Sequence, residues 1–339
     1  MPSTISSIEG QVNTREEYQD LASLSKNDKV WDRHKSNSER VAAIYSEVHQ
    51  FEKYSSRMGI CAGRLGFLPV ADKETGEISL KLREAYFCRV RNCPNCQWRR
   101  SMMWKAKFYE ALPELMGTYP KARWLFLTLT VRNCDVTELR LNVQAMNKAW
   151  GRLVKKTVWK DVVGWVRTIE VTRSDSEIGN AHPHFHVLLM VRPGYFSTGY
   201  VSAESWGKAW QEAMRLDYVP QVNVQAVRAG GKLVKSADVE TMKEAVGEVL
   251  KYAVKPSDVL EGEDEEASAK WFVELTRQTH KLRFIASGGA LKDVFKDEKS
   301  NEELIHTERD QPSEADEKEE KLVFNWSSSK KRYRRKLGE

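Results

Sequence analysis

The sequence predicts an α+β fold: an antiparallel sheet with helices on one face, preceded by a small cysteine-rich module. Two observations lead to it. Between residues 120 and 258 the strand and helix signals run β-α-β-β-α-β-α, an order that a ferredoxin-like or RRM-like sheet satisfies. Ahead of them, Cys88-x4-Cys93-Pro94-Asn95-Cys96 sets three thiols within nine residues, with Cys61 27 residues upstream of Cys88.

In chain order, residues 1–57 form an N-terminal helical segment, with an amphipathic helix expected over Glu39 to Tyr54 that places Val41, Ile44, Val48 and Phe51 on its apolar side. Residues 58–110 form the cysteine module. Without an export signal, close cysteines point to metal rather than to disulfides, and four thiolates from Cys61, Cys88, Cys93 and Cys96 make a closed, tetrahedral, structural Zn2+ site. Pro94 and Asn95 suit the tight turn such a knuckle needs. From Gln97 to Lys105 a basic helix leaves it, and Arg89, Arg91, Arg99 and Arg100 are candidates for holding DNA phosphates.

Residues 120–258 read as the functional domain. Strands are expected at Trp124–Val131, Val163–Thr172, Asn180–Val191 and Val222–Val227, and helices at Thr137–Lys156, Ser202–Leu216 and Ala237–Val254. The sheet face without helices is left for a site. A C-terminal helix follows within 259–290, at Ala267 to Leu282. Residues 291–339 read as a polar, flexible tail too poor in apolar residues to fold alone.

Composition narrows the function classes. The 339 residues are 41% apolar, enough for a full core, and no apolar run reaches the roughly 18 residues needed to cross a bilayer. The N-terminus lacks the regions of a signal peptide, so the expected location is the cytoplasm. A formal charge of +6 is modest, but basic residues concentrate between 83 and 107 and in Lys330-Lys331-Arg332-Tyr333-Arg334-Arg335-Lys336. That layout fits a protein whose core grips phosphates. No phosphate-binding Gly-rich loop of a helicase and no internal repeat stands out.

The chemistry concentrates in two places. His184-Phe185-His186 lies in a strand, where period-2 alternation projects both imidazoles from one face and Phe185 from the other, a rigid mount for a divalent metal. The second is Glu244-x3-Glu248-x3-Tyr252-x2-Lys255 on the last helix, where spacings of four put Glu244, Glu248 and Tyr252 on one stripe. A tyrosine is a poor nucleophile unless its proton is accepted or its target is made more electrophilic.

Together the blocks Phe126-Leu127-Thr128-Leu129-Thr130, His182-Pro183-His184-Phe185-His186-Val187-Leu188-Leu189 and Glu248-x3-Tyr252-x2-Lys255 resemble, in order and spacing, the motifs of HUH endonucleases. With Phe87-Cys88-Arg89-x-Arg91-x-Cys93-Pro94-x-Cys96-x-Trp98-Arg99-Arg100 upstream, residues 55–257 look like the single-tyrosine rolling-circle replication initiators of small bacterial plasmids. The resemblance implies that His184 and His186 bind one Mg2+ or Mn2+. The third ligand is Glu170, or alternatively His182, whose strand is followed by a proline that can end it. It implies that Tyr252 attacks a scissile phosphate of single-stranded or hairpin origin DNA, leaving a 5′-phosphotyrosyl link and a free 3′-hydroxyl. Glu248 would activate water at termination and Lys255 would add positive charge at the reacting phosphate. A host helicase and DNA polymerase are the implied partners. Other readings are a related single-strand transposase or relaxase, and a non-catalytic zinc-dependent DNA-binding regulator.

Overall fold

The computed structural model describes residues 17–71, 78–173, 179–229, 232–233, 264–294, 302–305 and 321–337. The chain begins with β1 (Tyr18–Asp20), α1 (Leu21–Leu24), α2 (Val30–Ser46), α3 (Glu52–Ile60), β2 (Arg64–Ala71), β3 (Ile78–Ala85) and α4 (Pro94–Thr118). Then come β4 (Arg123–Thr130), β5 (Cys134–Asp135), α5 (Leu139–Leu153), β6 (Val162–Arg173), β7 (Asn180–Val191), α6 (Ala203–Met214) and β8 (Val222–Ala226). The remainder comprises the short strands β9 (Arg228–Ala229) and β10 (Lys232–Leu233), α7 (Glu265–Thr279), β11 (Ile285–Gly289), α8 (Glu302–Ile305), β12 (Leu322–Ser327) and β13 (Arg332–Lys336). No described helix is long and apolar enough to cross a membrane.

The expected antiparallel α+β core is present. Its larger sheet has the order β11-β6-β7-β4-β8, with β5 paired to β7. Alternation along the strands sorts the side chains. Leu125, Leu127 and Leu129 on β4 and Phe185, Val187 and Leu189 on β7 turn to one face and pack in the core cluster that also contains Val143, Met146 and Trp150 of α5 and Trp206 and Trp210 of α6. Trp150 meets Phe185 edge-on at 5.9 Å, which anchors the strand directly beneath the histidines.

The opposite face is not wholly free. The C-terminal half of α4 lays Phe108, Leu112 and Leu115 over Trp124, Val166, Leu188 and Met190, and covers the end of the sheet distant from His184. The reason is in the strand sequence itself: Leu188 and Met190 continue the parity of His184 and His186, so that face turns apolar halfway along and needs a cover. What stays outside this apolar cluster is the end bearing His184 and His186.

A second sheet, order β1-β13-β12-β2-β3, was not expected. It joins the first and last described segments, so two sequence readings need correction. Residues 322–336, taken as part of a flexible tail, form a hairpin in which Phe324 and Tyr333 are fully buried. The basic run alternates on a strand, turning Tyr333 inward while Arg332 and Arg334 reach Asp20 at 2.7 and 3.0 Å. The helix expected over Glu39–Tyr54 is two helices, broken where Val48 takes an extended conformation (φ −124°, ψ 106°). That turn directs both Phe51 and, from α3, Met58 into the core. The C-terminal helix expected at Ala267–Leu282 is α7, capped by the Asp264 side chain, which accepts from Ala267 N.

Candidate metal centre

Strand register builds the site. β7 pairs with β6 so that His184 faces Glu170 and His186 faces Thr168, and with β4 so that His186 faces Thr128. Directly opposed residues share a face, so all these side chains project from the same side. Pro183 does not end the strand as expected. Alongside it β4 has finished at Thr130, opposite His184, and β5 begins only at Cys134, opposite Ala181, so on that edge no ladder bond is asked of the proline.

Glu170 Oε2 lies 3.1 Å from His184 Nε2 and 2.5 Å from His186 Nε2, and the two Nε2 atoms are 3.0 Å apart. Spacings near 3.0 Å are those of neighbouring donors around one divalent ion at roughly 2.1 Å. The tautomer supports the fit. His184 Nδ1–H donates to the His182 carbonyl at 3.2 Å, which in a neutral ring leaves a lone pair on Nε2 aimed at the Glu170 oxygen. Two lone pairs meeting in a nearly buried site ask for a cation between them. Where the rings carry the proton in place of an ion, burial alone would raise the Glu170 carboxyl, but hydrogen bonds and charge from His184 and His186 outweigh it and hold it well below the usual carboxylate range.

Of the alternatives for the third ligand, Glu170 sits in the cluster and His182 does not. His182 Nδ1 instead donates to Asn133 Oδ1 at 2.7 Å, with its ring 5.3 Å from that of His184. Burial, then the neighbouring His184, lowers its pKa. The sequence reading missed Thr128, whose Oγ1 is 3.5 Å from His186 Nδ1, although it lies in the quoted Phe126–Thr130 block. Tyr252, Glu248 and Lys255 lie outside the described residues.

The four cysteines expected to bind one metal converge at the other sheet. Cys61, Cys88, Cys93 and Cys96 are buried, their sulfurs all lie within 4.8 Å of one another, and three pairs stand at 3.6 Å. That is close to the roughly 3.8 Å edge of a tetrahedron with 2.3 Å zinc–sulfur bonds, and far from the roughly 2.05 Å of a disulfide. The backbone N–H of Cys88 and of Arg89 point at Cys61 and Cys96 sulfurs, at 3.4 and 3.3 Å. Burial disfavours the Cys93 thiolate, yet hydrogen bonds from Cys61, Cys88 and Cys96 hold its pKa well below the usual thiol value.

Two features of this cluster were missed. Buried Lys35 on α2 donates to Gly59 O and Cys61 O, both at 2.8 Å, and Ser38 Oγ lies 3.6 Å from Cys93 Sγ. A cation there would offset the charge of thiolates gathered around a metal. Their helical spacing with Val41, Ala42 and Tyr45 was the available signal.

The arginines expected to grip phosphates divide. Arg91 Nη2 donates to Leu282 O at 2.6 Å with its guanidinium over the Phe284 ring, and Arg99 donates to Leu304 O and Ile305 O, both at 2.8 Å. Arg99 is only 5% exposed. Both hold the fold together, because burial leaves a guanidinium stable only among acceptors and rings. Arg89 and Arg100 remain partly exposed.

Comparison with known proteins adds a family context. A family model described as "Replication protein" matches residues 79–334. A "Protein rep" of Streptococcus pneumoniae serotype 2 is 34% identical over 329 residues, 94% of this chain and 96% of that protein. A "Protein rep" of Lactiplantibacillus plantarum is 33% identical over 86% of this chain and 90% of its own length, and one of Bacillus amyloliquefaciens 36% identical over 76% and 75%. No solved structure matches.

Proposed function

The chain belongs to the replication protein family of plasmid replication initiators, and from that premise we propose that it starts rolling-circle replication by nicking one strand of its origin and rejoins that strand at termination. The observation that carries this reading is the convergence of Glu170, His184 and His186 on one side of a rigid sheet. A divalent ion, Mg2+ or Mn2+, held by these residues supplies Lewis-acid stabilisation of charge on a scissile phosphate.

The remaining steps belong to the chain's own residues. Tyr252 loses its proton and its phenolate oxygen bonds to phosphorus, while the bond from phosphorus to the departing 3′-oxygen breaks. The products are a 5′-phosphotyrosyl enzyme and a 3′-hydroxyl that a host polymerase extends behind a host helicase. When the cycle ends Glu248 takes a proton from water, whose oxygen bonds to phosphorus at the regenerated origin as the bond to the 3′-oxygen breaks. The freed 3′-hydroxyl then attacks the phosphotyrosyl phosphorus, rejoining the strand and returning a proton to Tyr252, and Lys255 balances charge on the phosphate. The His182 carbonyl, accepting from His184 Nδ1, fixes the tilt of that ring and would leave its Nε2 lone pair free to hold the ion beside Glu170. The Cys61–Cys96 cluster takes a structural Zn2+, and the reaction runs in the cytoplasm, where plasmid DNA is found.

The test is incubation with Mn2+ and labelled single-stranded DNA from the protein's own replicon. A covalent adduct is expected that vanishes in Tyr252→Phe and in His184→Ala, the latter still binding DNA. An adduct that survives Tyr252→Phe overturns the assignment of the nucleophile.

A further inference from the structure

Beside the edge strand β8 the fold holds a cavity of about 410 Å³ to which nothing above assigns a role. It falls within the roughly 300–1,000 Å³ of small-ligand sites. Its walls include three aromatic rings, Tyr195, Phe196 and Tyr200, together with Val224 of β8. Among the described lining residues Arg228 is the ionisable group besides the phenols, and Leu125, Val224 and Ala226 place the cavity on the helix-covered face at the β8 edge. No carboxylate is among the described residues that line it, so these present no repulsion to an anionic ligand.

The position relative to the metal centre is fixed by register. Gln225 faces Phe126, which faces Leu188, two residues along β7 from His186. Gln225 therefore projects from the same face as the histidines, whereas Val224 and Ala226 of the cavity wall turn to the opposite face. Two strand spacings and two residues put Gln225 roughly 12 Å from His186. Phe126 bridges the interval, its ring 5.5 Å from that of His186. A chain lying across the sheet from the metal centre reaches the cavity by passing over the β8 edge.

The aromatic wall is built before any ligand arrives. Tyr195 is buried, donates to Val201 O at 3.1 Å and accepts from Trp206 Nε1 at 3.1 Å. The loop behind it closes through Gly199 N to Gly194 O at 2.8 Å. Gly199 lies so close to Asp161 that a Cβ there would come within 2.1 Å of its carboxylate, so the turn is tightly packed. Tyr200 packs edge-on against Tyr195 at 6.2 Å yet is 67% exposed, which leaves a ring face open to solvent. An exposed aromatic on a braced loop suits stacking rather than core packing.

We propose that this cavity takes one unpaired base of the origin strand flanking the nick: the base stacks on Tyr200 and Phe196, and Arg228 faces the adjoining phosphate. The assignment rests on the nicking function proposed above for the ligand class, and explains how one position beside the nick is gripped by stacking, which every base can provide.

Photo-crosslinking tests it. The Tyr252→Phe protein, full length and without added metal, is irradiated with a short single-stranded oligodeoxynucleotide carrying 5-iododeoxyuridine, and adducts are located by mass spectrometry. Adducts are expected on the peptide holding Phe196 and Tyr200. Tyr200→Ala should weaken binding of the same oligonucleotide by about fivefold or more, while Tyr200→Phe, which keeps the ring, retains it. Unchanged thermal denaturation shows that Tyr200→Ala is folded. Adducts found only elsewhere, or full affinity in Tyr200→Ala, overturn the pocket even if the unaltered protein nicks. Adducts at Tyr200 without any phosphotyrosyl product from the unaltered protein uphold the pocket and sink the nicking reading instead.

Discussion

Glu170 and His184 stand directly opposite each other on neighbouring strands, and the register that pairs them also pairs Thr168 with His186. A slip of one residue would turn the carboxylate to the helix-covered face, so the metal centre depends on strand pairing as much as on residue identity. Glu170→Ala should lower Mn2+ affinity by at least the roughly tenfold that losing an outer-shell partner costs, read by titration calorimetry. His182→Ala should leave it within error of the unaltered protein. Equal losses in both would return His182 to the ligand set.

The cysteine cluster makes a separate prediction. Elemental analysis should find about one zinc per chain, because four thiolates close a tetrahedral site. Cys96→Ser, which alters the sulfur that approaches both Cys61 and Cys88 at 3.6 Å, should release it and lower the thermal midpoint. Asn92, between Cys88 and Cys93 in sequence, donates to Tyr45 of α2 at 3.3 Å and Thr276 of α7 at 3.0 Å, so loss of a bound metal should loosen both helices. A metal-free preparation with an unchanged midpoint would argue against a structural ion.

Glu39 joins α2 to the C-terminal hairpin, accepting from Trp326 Nε1 at 2.6 Å, from Ser328 and from Lys331 Nζ at 2.7 Å. Burial alone would raise its carboxyl, but these bonds and the Lys331 charge hold it below the usual value of 4.5. Its folded pKa being depressed, the stabilisation is present above the unfolded value and disappears as pH falls through the folded one. Glu39→Gln should therefore cost about 1–2 kcal/mol at pH 7, and the gap in thermal midpoint should close as pH falls through the depressed folded pKa, below the usual carboxylate value. A gap independent of pH would mean that the charge is irrelevant.

How much of this was legible follows from the range of each signal. His184 and His186 announced themselves through strand parity, and the run from β4 to β8 through alternation and helical period, all local. The five-stranded sheet left no such trace, because Tyr18 pairs with Lys336 from the far end of the chain and each partner alone is a short polar segment. Helix α2 begins well before its apolar period does, because its buried face includes His34, Lys35 and Ser38, polar residues that only the neighbouring cysteine cluster makes into an interior. Arg91 and Arg99 failed for the same reason: a basic run looks solvated until distant carbonyls and rings surround it.

That last distinction separates two adjacent arginines by experiment. Arg99, donating to two carbonyls of α8 with its guanidinium 5.3 Å from the Trp31 ring, should on change to alanine cost roughly 2 kcal/mol of stability, seen as a lower denaturation midpoint. Arg100, one residue on and partly exposed, should leave the midpoint unchanged when replaced. If it meets a phosphate, Arg100→Ala should instead weaken DNA binding about equally across sequences and reduce the slope of log affinity against log salt by about 1. The reverse pattern, with stability lost at Arg100 and only DNA binding lost at Arg99, would mean that α4 sits rotated from the position that buries Arg99.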